Sequence, residues 1–246
     1  MEVLGRNKAG DIIDQRDLTF IFGEGSEIGI STGVEKALEK MKRTEQAQIQ
    51  IAPKWAEGGP VVPKDSQEML VYDINLKSFE RAKESWQMDG EEKLKQSTVF
   101  KDKGTDYFKQ GKYDLAAKKY AKIIEFLEHE ISLRDEKEEE RASLLQAGRL
   151  NLAMCKIKVN DWLEARNLCD KVVEENPTNV KGYFRRGEAL IALSEHELAR
   201  QDFEKVLELD AENKAAKNKV AMCMHQIKMN KEKEKKTFAN MFDKVI

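Results

Sequence analysis

The sequence predicts an α+β protein of two domains, in which a partial β-sheet with one helix precedes an all-α superhelix. In the first eighty residues apolar side chains alternate with period two, which is typical of half-buried strands. After that point they recur with helical spacing to the end of the chain. We place a β-rich domain at residues 1–80, a linker at 81–92, a helical array at 93–228 and a helical extension at 229–246.

The composition excludes several classes of protein. The net charge of −2 argues against general nucleic-acid binding, which needs a positive excess. No apolar run approaches the roughly 18 residues of a membrane span. Three cysteines without a C-x-x-C motif indicate reduced thiols in a cytoplasmic or nuclear protein. The three histidines lack metal-ligand spacing, so we predict neither a metal nor a cofactor.

The β-rich domain contains three alternating segments and one amphipathic helix. We predict strands at 18–22, 49–51 and 70–76, with a further fragment of strand at 2–4. The helix has apolar residues at i, i+3, i+4 and i+7, and Ser31 or Thr32 can cap it: the apolar residues are Val34, Ala37, Leu38 and Met41.

The helical half contains an internal repeat. Four residues recur 34 positions apart, the first set being Ala153, Ala165, Cys169 and Val172 and the second Gly187, Ala199, Phe203 and Val206. A third set, Gly104, Ala116, Tyr120 and Ile123, lies 49 residues before the first. Its extra residues lie near 129–141 and predict longer helices or a long loop. This spacing is typical of tetratricopeptide repeats, of which residues 93–228 hold three.

The repeat also predicts where its helices end. Pro177 lies at the terminating position of the second copy, where a proline cannot continue a helix. Ala211 takes that position in the third copy, so we expect a less sharply terminated helix there.

Polar residues on the first helix of each repeat are the candidate binding residues, because these helices line the concave face of such a stack. They are Lys101, Asn151, Lys181 and Arg185. Arginine offers a planar fork, lysine a compact charge and asparagine an amide donor, which together suit carboxylates. A peptide ending in Asp presents two carboxylates close together, so such a cluster selects C-termini.

These residues resemble the carboxylate clamp of chaperone-binding tetratricopeptide domains. The chain reads K-D-K-G-T at 101–105, N-L-A at 151–153 and K-G-Y-F-R at 181–185. Thr105 replaces the asparagine of the family pattern, and we expect its hydroxyl to donate one hydrogen bond to the ligand. The resemblance implies the C-terminal Met-Glu-Glu-Val-Asp of the ninety-kilodalton heat-shock protein as ligand, with the seventy-kilodalton protein as a second partner.

The whole chain resembles the large FKBP-type immunophilins. The matching segments are D-Q-R-D-L-T-F-I-F-G-E-G at 14–25, G-V-E-K-A-L-E-K-M at 33–41, I-A-P-K-W-A at 51–56, V-Y-D-I-N-L-K-S-F-E at 71–80, K-E-S-W at 83–86 and F-A-N-M-F at 238–242. The resemblance implies an FKBP-like sheet before the repeats. It also implies that the chain corresponds to the C-terminal part of such a protein, with the first strands of the domain missing and an active isomerase domain upstream.

The resemblance further implies that this FKBP-like unit has lost prolyl isomerase activity. Active members bind the prolyl bond in an aromatic pocket, of which Asp14 is retained. Ile13 replaces an aromatic residue, Val34 the tryptophan floor and Glu57 the tyrosine donor. A carboxylate in an apolar cradle opposes burial of a proline ring.

The end of the chain is basic, with nine lysines and three acidic residues from Lys214 to Ile246. We interpret it as a solvated helix whose apolar residues Ile227, Phe238, Met241, Phe242 and Val245 pack on the last repeat. A basic amphipathic helix is also typical of calmodulin targets, and the resemblance includes such a segment, so calmodulin stays an alternative partner.

Three functions remain in view. The leading hypothesis is a chaperone-binding adaptor. The alternatives are a peptidyl-prolyl isomerase acting on chaperone clients, and a scaffold that binds internal segments of other proteins.

Overall fold

The computed structural model describes residues 1–59, 68–80, 83 and 85–242, with side chains as far as residue 236. The chain forms two compact units, Met1–Lys83 and Glu84–Ile246, which divide inside the predicted linker 81–92. Among the described residues, no helix has the length and apolar character needed to cross a membrane.

The first unit contains a four-stranded antiparallel sheet in the order β2-β1-β4-β3. The strands are Glu2–Arg6 (β1), Ile12–Asp17 (β2), Glu45–Ile51 (β3) and Leu70–Leu76 (β4). The fragment predicted at 2–4 is thus an interior strand, paired with β2 on one side and with β4 on the other. Strand β2, which the sequence did not reveal, forms one edge of the sheet.

One helix, Thr32–Leu38 (α1), contributes to the core of this unit. Ser31 is the residue that caps it, since its side chain accepts a hydrogen bond from the Val34 amide at 3.4 Å. Met41 lies beyond the last turn of the helix yet is buried. The core residues are Met1, Val3, Ile30, Val34, Leu38, Met41, Ile51, Leu70, Tyr72, Ile74 and Leu76.

The strand predicted at 18–22 does not form. The Leu18 amide donates to the carbonyl of Met1 at 2.9 Å, and the chain then leaves the sheet. The segment that follows is held by a carboxylate instead, because Glu35 accepts hydrogen bonds from the amides of Gly23 and Gly25, both at 2.9 Å. Phe22 is half exposed, so the alternation of apolar residues there does not reflect a buried sheet face.

In the second unit each helix packs on the helix that follows it in the chain. The helices are Gly90–Lys109 (α2), Tyr113–Leu127 (α3), Asp135–Lys158 (α4), Trp162–Glu175 (α5), Val180–Ala192 (α6), His196–Leu209 (α7) and Lys214–Phe242 (α8). The first helices of the repeats also meet one another, α2 with α4 and α4 with α6. This is the layered stack that the repeat predicted.

The repeated small residues mark the closest approach within each repeat. A methyl group added to Gly104 would lie 2.8 Å from the Tyr120 ring, and one added to Gly187 would lie 2.7 Å from the Phe203 ring. In the second repeat the equivalent pair is Ala153 and Cys169, and both are fully buried. A larger residue on the first helix therefore accompanies a smaller one on the second, which keeps the space between the helices filled.

The extra residues of the first repeat form a loop and lengthen a helix. Residues 128–134 connect α3 to α4, and α4 has 24 residues. The loop is fixed by Glu130, whose carboxylate accepts from the Lys93 ammonium at 2.6 Å and from the Ser132 amide and hydroxyl at 2.9 and 2.6 Å. The Lys93 bond and the two from Ser132 lower the pKa of Glu130 to about 2.

The third repeat ends as sharply as the second, contrary to the expectation from Ala211. Helix α7 ends at Leu209, which is 34 residues after the end of α5 at Glu175. An asparagine begins the next helix: the Asn213 side chain accepts from the Ala216 amide at 3.0 Å and donates to Asp210, also at 3.0 Å. Asn179 caps α6 in the same way, through the Gly182 amide at 2.8 Å.

The start of α8 keeps the repeat register. Gly148, Gly182 and Ala216 are buried at 34-residue intervals on α4, α6 and α8. Cys155, Ala189 and Cys223 form a second buried series with the same interval. Helix α8 is therefore rotated like a further first helix, and it continues without a break across the boundary predicted at residue 228.

Most of the predicted anchors of the basic end lie outside the described side chains. Ile227 is half-buried, and its neighbours Met224 and Met229 are exposed. The side chains of Phe238, Met241 and Phe242, and the whole of Val245, are outside the described residues.

Candidate functional site

The five predicted binding residues lie on the three first helices of the stack. Lys101 and Thr105 belong to α2, Asn151 to α4, and Lys181 and Arg185 to α6. Because α4 contacts both α2 and α6, the structure places these residues on three helices that adjoin in order.

Arg185 connects two of these helices. Its guanidinium donates to the backbone carbonyl of Leu150, which directly precedes Asn151 on α4. Burial lowers the pKa of Arg185, although an arginine remains charged at any physiological pH. The same guanidinium interacts electrostatically with Tyr120 of the first repeat.

The next residue, Arg186, has a different environment. It donates to Asp202 at 2.8 and 2.6 Å and to Asp170 at 2.9 Å, and these carboxylates raise its pKa. No carboxylate in the described chain forms an ion pair with Arg185. Arg186 thus links α5, α6 and α7, whereas the charge of Arg185 has no carboxylate partner among the described residues.

Thr105 is not available as we expected. Its hydroxyl donates to the Lys101 carbonyl at 2.8 Å, one turn earlier in α2. The Tyr120 hydroxyl lies 3.2 Å from the same oxygen and, because Thr105 has a single proton, Tyr120 is the donor in that pair. Thr105 therefore orders the binding face shared by α2, α4 and α6, here called the groove. It has no proton left for a ligand in this arrangement.

The remaining candidates have free polar ends. Within the described part of the chain, no side-chain hydrogen bond or ion pair engages Lys101, Asn151 or Lys181. Lys181 is exposed, and Lys101 and Asn151 are half-buried. Lys181 also lies in the first turn of α6, where its charge adds to the positive end of the helix dipole, an arrangement that favours an anion.

Sequence reasoning missed two contributors to this groove. Tyr120 was assigned only to packing, yet its hydroxyl bonds to Thr105 and its ring lies against Gly104. The Leu150 carbonyl that receives Arg185 could not be found from side-chain identity. Burial, with the Thr105 bond acting in the opposite direction, raises the pKa of Tyr120.

The residues matched to the isomerase pocket are mostly enclosed or engaged. The Asp14 carboxylate is buried and accepts from Arg16 Nε at 2.5 Å and Nη2 at 2.8 Å, which raises the pKa of Arg16. Val34 has no exposed surface and lies in the same core cluster as Tyr72, whose pKa burial raises to about 12. Ile13 is half-buried against the same core.

Glu57 departs from the expectation. Its side chain is exposed, so its carboxylate is hydrated and does not lie in an apolar cradle. What Glu57 supplies is its backbone carbonyl, which accepts from the Thr32 amide at 3.0 Å at the start of α1.

Comparisons with known proteins agree with both units. A tetratricopeptide-repeat model matches residues 180–213, which comprise α6, α7 and the turn after them. The bovine peptidyl-prolyl cis-trans isomerase FKBP4 is 44% identical over 239 residues, covering 95% of this chain and 52% of that protein. FK506-binding protein 59 of Drosophila melanogaster is 38% identical over 243 residues, covering 96% of this chain and 54% of its own length.

Solved structures show the same fold for the repeats. The tetratricopeptide domain of a Plasmodium falciparum FK506-binding protein superimposes with a TM-score of 0.57 at 24% identity, over 61% of this chain and 99% of that one. The Hsp90 co-chaperone Cns1 of Saccharomyces cerevisiae gives 0.52 at 23% identity, over 62% of this chain and 46% of its own.

The chain spans about half the length of the two relatives named above, and it matches them from the sheet through the repeats. Its four-stranded sheet, its three helical repeats and its similarity over 95% of its length lead to one conclusion. The chain belongs to the FKBP-type immunophilins that carry tetratricopeptide repeats.

Proposed function

We propose that this chain is a co-chaperone adaptor whose repeats bind the acidic C-terminus of the ninety-kilodalton heat-shock protein, in the cytoplasm or nucleus. The seventy-kilodalton protein, which shares a terminal Glu-Glu-Val-Asp, is the second partner. The observation that carries the proposal is the contrast between Arg185, which has no carboxylate partner in the described chain, and Arg186, which has two.

The chemistry of the groove fits a free chain end. Lys101, Asn151 and Lys181 add two charges and one amide on neighbouring helices, and none is engaged within the described residues. A terminal Asp brings two carboxylates within a few ångströms, whereas an acidic side chain inside a peptide brings one. The cluster therefore discriminates a C-terminus from an internal acidic segment.

Calorimetric titration tests this proposal. The chain is titrated with Met-Glu-Glu-Val-Asp as the free acid, as the C-terminal amide, and with two residues added after the Asp. We expect the acid to bind and the other two to bind at least tenfold more weakly. Equal binding of all three peptides would favour the scaffold function, and absence of binding would refute the adaptor function.

Matched variants locate the site. Lys181→Ala removes an exposed charge from α6, and Lys118→Ala removes an exposed charge from the second helix of the first repeat. We expect only the first to weaken binding of the acid, by about 1.5–3 kcal/mol for a lost charged hydrogen bond. Equal losses in both variants would mean that the attraction is general and that no clamp exists.

The isomerase alternative rests on the names of the relatives, which the chain covers by about half. We propose that residues 1–83 do not turn over prolyl peptides, because Val34 is closed to a ligand and Asp14 is engaged by Arg16. A protease-coupled isomerisation assay should show no rate above background. Turnover that disappears in Asp14→Leu would contradict this proposal.

Calmodulin is the alternative partner that we propose for the basic end of α8. A calcium-dependent shift of the chain in native gel electrophoresis with calmodulin would support it.

A further inference from the structure

Helix α8 presents one residue at the position that carries binding groups on the two preceding first helices. The buried series Gly148, Gly182, Ala216 fixes the rotation of α4, α6 and α8 about their axes. Three residues after each of these lie Asn151, Arg185 and Lys219. Because the three helices share one register, Lys219 lies on the groove-facing side of α8.

The residue types at this position follow a chemical series. An amide, a guanidinium and an ammonium occur in succession, and each of these groups donates hydrogen bonds. On α8, Lys217 and Lys219 differ in exposure: Lys217 is exposed, whereas Lys219 is about one-third exposed, at 34% for its side chain. A solvated face would not distinguish them in this way.

Glu188 interacts electrostatically with the last two members of the series, Arg185 and Lys219. Its carboxylate lies 3.7 Å from the Lys219 ammonium, and its charge partly opposes the lowering of the Arg185 pKa by burial. At that distance the pair is an ion contact and not a normal hydrogen bond, so the ammonium keeps its donors for another acceptor. Glu188 neutralises this end of the groove and is the group that an incoming carboxylate would compete with.

We infer that Lys219 is a further peptide-binding residue, which selects for an acidic side chain upstream of the terminal Asp. The inference rests on the proposed function and deepens it. In this arrangement the two carboxylates of the terminal Asp contact residues of α2, α4 and α6. The more distant part of the peptide then reaches α8. Helix spacings of about 10 Å correspond to about three extended residues, which places the acidic side chain two or three residues before the end.

A cycle of two proteins and two peptides tests the inference. The wild-type chain and Lys219→Gln are each titrated with Met-Glu-Glu-Val-Asp and with Met-Gln-Gln-Val-Asp, both as free acids. We expect Lys219→Gln to weaken binding of the Glu peptide by three- to tenfold and to leave the Gln peptide within twofold. Lys217→Gln, two residues away on the exposed side, should leave both peptides unchanged.

A second variant provides an independent measurement. Glu188→Gln removes the competing carboxylate and should strengthen binding of the Glu peptide by two- to fivefold, with the helical circular dichroism of the chain unchanged. Equal weakening of both peptides by Lys219→Gln, or no weakening of either, would overturn the inference. Discrimination between acid and amide in the wild-type chain would still show an intact clamp in that case, so failure of Lys219 is distinguishable from failure of the clamp.

Discussion

Replacing Gly187 by alanine should destabilise the helical unit, although alanine favours helices. The added methyl group would lie 2.7 Å from the far end of the Phe203 ring, with two further ring atoms within 3.0 Å. Phe203 has no exposed surface and packs edge-on against Phe184, with ring centroids 5.4 Å apart. The ring therefore has no free space into which it could move.

Two opposing effects set the magnitude. Alanine in place of glycine inside a helix contributes about 1 kcal/mol of stability. Overpacking a closed core costs about 1–3 kcal/mol. We expect a net loss of about 1 kcal/mol, which corresponds to a fall of about 0.5 M in the urea midpoint for a typical dependence on denaturant.

The second repeat suggests a control in which Gly187→Ala should stabilise the unit and not destabilise it. There an alanine is paired with a cysteine, Ala153 with Cys169. In a Phe203→Cys background the obstructing ring is gone, so Gly187→Ala should stabilise the unit by about 1 kcal/mol. Phe203→Leu serves as a milder background, since truncating a buried phenylalanine costs about 3–5 kcal/mol by itself.

Urea denaturation followed by far-ultraviolet circular dichroism measures the stability of the native protein, the two single variants and the double variant. The expected coupling between the two positions is about 2 kcal/mol, well above the roughly 0.3–0.5 kcal/mol scatter of independent sites. Additive effects, or a stabilising Gly187→Ala in the native background, would refute the complementary-size account of the repeats.

Three further predictions follow from the buried charges and the groove wall. Glu130→Gln should cost about 1.5–3 kcal/mol at neutral pH. The folded pKa of Glu130 is lowered to about 2 from 4.5, so the native protein loses this contribution to stability as the pH falls from 4.5 toward 2. The urea midpoint of Glu130→Gln should therefore change less with pH over that range than the midpoint of the native protein. Arg186→Met should cost about 3–5 kcal/mol, since it leaves Asp202 buried and uncompensated. Burial raises the pKa of Asp202, so this variant should gain stability on acidification, and Asp202→Asn should remove that gain. Thr105→Asn should tighten binding of the acid peptide about fivefold, since it adds an amide donor worth about 1 kcal/mol while its oxygen can still accept from Tyr120; unchanged calorimetric affinity would contradict this.

The helical half was predictable because its repeat is long and its packing is local. Four spacings identified the register, and the same register located Asn151 and Arg185 on the lining helices. What the spacing could not show is how each side chain is used. Thr105 donates to a carbonyl of its own helix and accepts from the Tyr120 hydroxyl of the next helix, and neither bond is evident from the spacing.

The β half was less predictable, because charged side chains have structural roles at positions where the pattern expects apolar ones. Strand β2 escaped notice because its buried residue is Asp14, compensated by Arg16, while Ile12 is 58% exposed. Residues 18–22 alternate like a strand, but the chain leaves the sheet after Leu18, and the glycines that follow donate their amides to Glu35. Both errors arise where a charged side chain, Asp14 or Glu35, has a structural role that a periodicity argument based on apolar residues does not detect.

The interior position of β1 affects how the two units acquire their structure. Its residues pair with β4, and Glu2 and Asn75 are 73 positions apart along the chain. Each helix of the repeats, by contrast, packs on the helix that immediately follows it. Closing a long loop before any contact forms slows folding, whereas contacts between sequence neighbours accelerate it. Strand β1 can pair early with β2, which is close in sequence, but its other edge remains unpaired until β4 is available. The repeats can assemble progressively from any point in their own sequence.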